Sequence, residues 1–249
     1  MVTEDVEARA ERELKRELAG HLKFNSNVWA LVVSVLGAFI GHGLARMPES
    51  RKVCFVLFAR LANDLRCIAL LSGHGYSEQA AIVAASVFES AHTISYIRDN
   101  EARAQAWNAH RHPRNTFRPV PKLIEATAKF LGVPDPKKFV RGEKRIYAQL
   151  CWSKHLRSIV LGFRPPEERA TRGTFDLGPD TSEFGIRNAW FVLQHSGRLG
   201  LTAVDVFQNT HATVLNVARA LGECRETYDR LDAQAKERWG TEDPFEGEW

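Results

Sequence analysis

The stretch from Tyr76 to Arg98, YSEQAAIVAASVFESAHTISYIR, constrains the fold more than any other part of the chain. Ser77 is placed to cap a helix, Glu78 suits its first turn and Arg98 its last, so both ends complement the helix dipole. Wound at helical period, Ala80, Ala84, Val87, Ala91 and Ile94 line one face, while Ile82, Ala85 and Tyr96 lie opposite. A helix apolar on nearly every side must be enclosed by several neighbours. Into the second face the chain sets Glu89 and His92, with Tyr96 one turn further on. A carboxylate in that position needs a partner from another helix.

The flanking segments supply such helices. Residues 51–72 are amphipathic, with Cys54, Leu57, Leu61, Leu65 and Ile68 on one arc, but Asp64 falls inside that arc and Arg60 lies one turn before it. Gly73 and Gly75 end this segment, and so short a connection predicts an antiparallel neighbour. Residues 28–45 form the longest apolar run, at the lower edge of a membrane span. Gly37, Gly41, His42 and Gly43 interrupt it and no girdle marks both ends, so it reads as a core helix without stable membrane insertion. A protein associated with a membrane through residues 28–45 is the alternative.

Before this run, residues 3–23 read as a charged helix with a thin apolar stripe. The helix of residues 76–98 is expected to continue through about Ala109. Pro113, Pro119 and Pro121 then force a basic loop, followed by a short helix over 123–131. Residues 142–163 are helical again, with Tyr147 and Cys151 on one face and His155 beside them. Residues 164–182 read as a loop with room for a short hairpin. A helix over 183–195 is expected to stop at Gly197 and Gly200, before a long one from Thr202 towards Trp239 and an acidic tail over 240–249. The pattern predicts an all-α protein: one domain over 1–249, an antiparallel bundle over about 28–222, with additional N- and C-terminal helices.

Composition narrows the class. Apolar residues make up 44% and charged ones 26% of the 249, the range of ordinary soluble proteins. The net charge of +4 is too small to argue for nucleic acid by itself. Its distribution says more: residues 98–145 carry 12 Lys/Arg against 5 Asp/Glu, or +7, leaving −3 for the rest. Cys54, Cys67, Cys151 and Cys224 are widely spaced on helical segments, which reads as reduced core cysteines and a cytoplasmic location. The charged, helical start does not read as a secretory signal. Neither a P-loop, a dinucleotide Gly-rich turn, an H-E-x-x-H pair nor a nucleophile elbow occurs. The histidines are scattered, and His110 with His112 lacks a spaced third ligand, so no metal and no cofactor are expected.

Two constellations carry chemistry. Arg60, Asp64, Glu89, His92, Tyr147 and His155 could meet between helices, either as a pocket with acid, base and donor groups or as a network that sets helix register. The second begins with Arg103 and His110, with six residues between them, as candidate catalytic groups. Arg111, Arg114, Phe117 and Arg118 follow, a cationic stretch with an interleaved aromatic that suits RNA; the alternative is a solvated basic loop.

The run from Leu57 through Ile97, with Gly75, Tyr76, Gln79 and Ala80 and then Phe88 and Glu89, followed later by YAQLCWSKH with Tyr147 and His155, resembles a bacterial family of helical domains of unknown function. That family is related to the HEPN superfamily, four-helix-bundle proteins frequent in toxin–antitoxin and anti-phage systems. The resemblance covers roughly residues 50–165. It implies an HEPN-like bundle acting as a binding or effector module in bacterial defence or stress response, with RNA as partner and homodimer formation. HEPN ribonucleases carry Arg, four to six residues, then His; Arg103 and His110 fit, whereas Arg187 and His195 have seven residues between them. The resemblance therefore also implies a metal-independent endoribonuclease as the alternative, leaving 2′,3′-cyclic phosphate ends.

Overall fold

The alanine-rich segment forms a buried helix, α4 (Ser77–Ile97), whose small side chains let neighbours close in from several sides. A computed structural model describes residues 4–40, 47–110, 117–155, 179–211 and 217–240 of the chain. Before α4 come α1 (Glu4–Glu17), α2 (Ala19–Ile40) and α3 (Glu49–Gly73); after it come α5 (Glu101–Ala109), α6 (Val120–Leu131), α7 (Pro136–His155), α8 (Glu183–His211) and α9 (Ala218–Trp239). Among the described residues every regular element is α-helical.

Four helices form the centre. α2 packs on α3, α3 on α4, α4 on α8, and α8 back on α2. Around them, α6 and α7 cover α4, α9 lies across α8 and α2, α1 rests on α2 and α3, and α5 on α3 and α4. One apolar core runs from Leu14 in α1 to Leu231 in α9, with Phe24, Phe39, Phe58, Phe88 and Phe207 as its largest enclosed side chains.

The α3–α4 connection is the tight reversal its glycines predict. Gly75 adopts φ +87°, a region open to glycine, and its carbonyl accepts the Asp180 backbone N–H at 2.9 Å. The antiparallel expectation holds for α3 against its neighbours but not for α8. His21 faces Trp190, Asn25 binds Ser196 and Phe39 meets Phe207, so α2 and α8 run the same way. Asn188 bonds Ser77 at the start of α4, while His92 and Arg198 meet through Glu143 further along, so α4 is parallel to α8 as well. The physical reason is the connection: α5, α6 and α7 intervene between α4 and α8, and a crossover that long can return in either direction.

Gly197 and Gly200 do not stop a helix, contrary to the sequence expectation. α8 runs unbroken through both. A Cβ on Gly197 would stand 2.3 Å from the Phe24 ring, and one on Gly200 2.7 Å from Val28. Each glycine costs a helix about 1 kcal/mol relative to alanine; here the missing Cβ lets α8 lie directly on α2. Conversely, the single helix expected from 76 to about Ala109 is two, α4 and α5, because Arg98 leaves the helix and Asn100 caps α5 by accepting the Arg103 N–H at 2.9 Å. Pro121 sits in the first turn of α6, where its missing N–H has no helical partner to lose, so that helix starts earlier than expected. Of the cysteines, Cys54 and Cys224 are buried, Cys151 is half-buried and Cys67 is exposed; all are free. Cys67 thus corrects the reading of four core cysteines, since it sits on the outer face of α3.

α2 and α4 are both long and apolar enough to cross a membrane by length and composition. The most apolar window of α4 is 72% buried by its neighbours and that of α2 is 39% buried. The expected hairpin at 164–182 falls mostly outside the described residues.

Candidate functional site

The polar residues set on apolar faces resolve into three groups with different partners. Asp64 of α3 accepts the Ser86 hydroxyl at 2.6 Å and has the Arg60 Nε 3.8 Å away. It is half-buried, and burial raises its pKa against the opposing pull of Ser86 and Arg60. Glu89 accepts the Tyr147 hydroxyl at 2.6 Å; burial, then this carboxylate, pushes the phenol pKa up. Asp64 and Glu89 are therefore half-buried rather than enclosed as their apolar setting predicts, because each is met by a single hydroxyl and keeps part of its surface open. The His155 side chain lies outside what is described.

His92 sits deepest. Its Nδ1 is 2.7 Å from the Thr127 hydroxyl, and its Nε2 is 3.4 Å from Glu143 Oε2. A carboxylate facing Nε2 favours the tautomer with the proton there, which leaves Nδ1 to accept from Thr127. Phe88 links the two inner groups, with ring centroids 4.3 Å from His92 and 4.9 Å from Tyr147. Glu143 is buried and pairs with Arg198 of α8. Burial alone would raise the Glu143 pKa, but the Arg198 charge and the His92 contact outweigh it and hold the carboxyl at about 2.

Sequence reasoning missed both Glu143 and Arg198. Glu143 lies among Lys138, Arg141, Lys144 and Arg145, where a carboxylate reads as a surface counter-ion. Helical period was the available signal: Glu143, Tyr147 and Leu150 share one face of α7, and Leu150 is fully buried. Arg198 carried no such signal beyond its place between two glycines. The network joins α4, α6, α7 and α8, which suits a register-setting role.

The basic candidates gather elsewhere, where α4, α5 and α6 meet. Arg103 lies in the first turn of α5, and His110 follows its last residue as the C-cap with an extended backbone. The Arg103 guanidinium lies 4.2 Å over the Tyr96 ring and donates to the Tyr96 carbonyl at 2.7 Å. Phe117 stands edge-on to Tyr96 at 6.0 Å and to His110 at 6.1 Å. Arg118, exposed, lies 5.4 Å from the Phe117 ring, and Arg98 lies 5.1 Å from Phe130. Arg103, His110, Phe117 and Arg118 thus belong to one strip of alternating cations and rings. Arg111 and Arg114 lie outside the described residues.

No family model, curated protein or solved structure matches this chain. The strip must be read from its own chemistry. Aromatic faces bracketed by guanidinium groups suit unstacked bases and the phosphates between them. Among the described residues, no three His, Cys, Asp or Glu side chains come together in a way that could hold a metal ion.

Proposed function

We propose that this chain is an HEPN-like helical module that contacts single-stranded RNA in bacterial defence or stress response. The observation that carries the RNA reading is the strip Arg103–Tyr96–Phe117–Arg118 with His110 at its edge. All of it but Tyr96 lies within the segment of charge +7, so the local field attracts a phosphate backbone while the rings offer stacking surfaces. The four-helix centre supports the HEPN-like part of the reading.

Titrating labelled single-stranded RNA at several salt concentrations tests this. Binding should weaken steeply with salt, and Arg118→Ala should reduce the slope of log affinity against log salt by about one. Binding that ignores salt, or none at low salt, removes the proposal. A second reading, the metal-independent ribonuclease, is favoured by one observation: Arg103 and His110 contact the same pair of rings, Arg103 on Tyr96 and His110 on Phe117.

A further inference from the structure

A separate cleft lies between α8 and α9. Its volume is about 160 Å³, and Arg187, Trp190, Phe191, His195, Lys236 and Trp239 line it with Gln194 and Asp232. A cavity of about 150 Å³ is known to hold one benzene ring, so this one has room for a single six-membered ring.

Its polar lining is unevenly satisfied. Lys236 is paired with Asp232, and Gln194 donates to the same carboxylate at 2.9 Å. The other nearby carboxylate, Glu183, is taken by Arg238 at 2.9 Å and by the Trp239 indole N–H at 2.8 Å. Arg187 makes no hydrogen bond or ion pair among the described residues, although it is half-buried. Trp190 is 8% exposed and its indole N–H has no acceptor; His195 Nδ1 is enclosed without a partner too. Glu183, one turn away on α8, feels the Arg187 charge without touching it. Arginine cannot discharge, so a half-buried guanidinium that no acceptor contacts among the described residues favours an anion beside it. A cationic guest would find both carboxylates already engaged and would face Arg187 directly.

We propose that this cleft binds a small anion that carries one aromatic ring, with the ring against the Phe191 and Trp239 walls and the charge on Arg187. Pyrimidine nucleotides and aryl carboxylates share this chemistry. The inference does not depend on the RNA strip, which is formed by other helices.

Isothermal titration of the full chain tests it with cytidine 5′-monophosphate and benzoate, each beside a neutral counterpart, cytidine and benzyl alcohol. At least one anion should bind with a dissociation constant of about 1 mM or tighter, and its neutral counterpart about 10-fold more weakly or worse. Arg187→Gln should cost about 10-fold in affinity while leaving the melting temperature in place, because Arg187 makes no hydrogen bond or ion pair among the described residues. Trp239→Ala, as a second variant, should weaken the same anion. Binding of the nucleotide alone assigns the cleft to pyrimidine nucleotides, and of benzoate alone to aryl acids; either supports the proposal. Silence from both anions, or an Arg187→Gln titration matching the parent, overturns it.

Discussion

Arg198 Nη2 donates to Glu143 Oε2 at 2.9 Å and stands 2.7 Å from Oε1, and so ties α8 to α7 across the core. Glu143 is 5% exposed and has His92 on its other side, so its charge depends on this pair. Removing one partner of a buried pair strands the other and typically costs about 3–5 kcal/mol, whereas replacing both by apolar groups can be neutral. Arg198→Met should therefore lower the urea midpoint sharply, and adding Glu143→Leu should recover most of the loss. A double variant no more stable than Arg198→Met would show that the pair itself supplies the stability.

Acid should loosen the fold before carboxylates titrate. Burial pushes the His21 pKa down from 6.5 to about 4 and that of His195, helped by Arg198, down to about 3. Burial also lowers the His92 pKa, against the pull of Glu143. The unfolded chain therefore takes up protons first as pH falls below 6.5, and stability drops until the folded pKa is reached. At pH 5 His21 alone should cost about 2 kcal/mol. The Glu143 contribution, held by a pKa of about 2, is lost only between 4.5 and that value. Melting curves at pH 7, 6 and 5 check the order; equal midpoints would refute neutral buried histidines.

Gly197→Ala should destabilise the protein although alanine is the better helix former. The gain in propensity is about 1 kcal/mol. The new methyl would meet the fully buried Phe24 ring at 2.3 Å, and overpacking of a tight core costs about 1–3 kcal/mol. Phe24→Leu in the same chain should relieve part of the loss. Thermal melts of the three variants decide it.

Glu101 of α5 caps a helix other than its own. Its carboxylate accepts the backbone N–H groups of Glu49 and Ser50 at 2.9 and 3.1 Å and the Ser50 hydroxyl at the start of α3. Pro48 precedes that helix and supplies no side-chain cap. Glu101→Ala should cost about 1 kcal/mol in denaturant unfolding, and Glu101→Gln less, since the amide oxygen still accepts. An unchanged midpoint for Glu101→Ala would show that water caps α3 equally well.

If the strip cleaves RNA, His110 must transfer the proton and Arg103 must steady the phosphate. His110→Ala should then lower the cleavage rate about 10²–10⁴-fold while RNA affinity stays near that of the parent. Arg103→Lys should fail similarly, because an ammonium cannot reproduce the planar contact. Total RNA left intact by the purified parent would leave binding alone.

The helical class and the burial of α4 were legible from sequence, because periodicity and small residues act within one segment and need no knowledge of neighbours. The α3–α4 reversal was equally local, set by Gly73 and Gly75. Tertiary structure alone decided the direction of α8, since a long crossover carries no memory of orientation. It also gave Gly197 and Gly200 their meaning: the same residue that weakens an isolated helix permits contact when Phe24 and Val28 lie opposite. Partners of buried charges were illegible for a related reason. His92 announced itself by sitting on an apolar face, but its partner Glu143 comes from a stretch dominated by Lys and Arg, and Arg198 from a helix more than a hundred residues away. Periodicity shows which side of a helix is buried; only packing shows what it meets there.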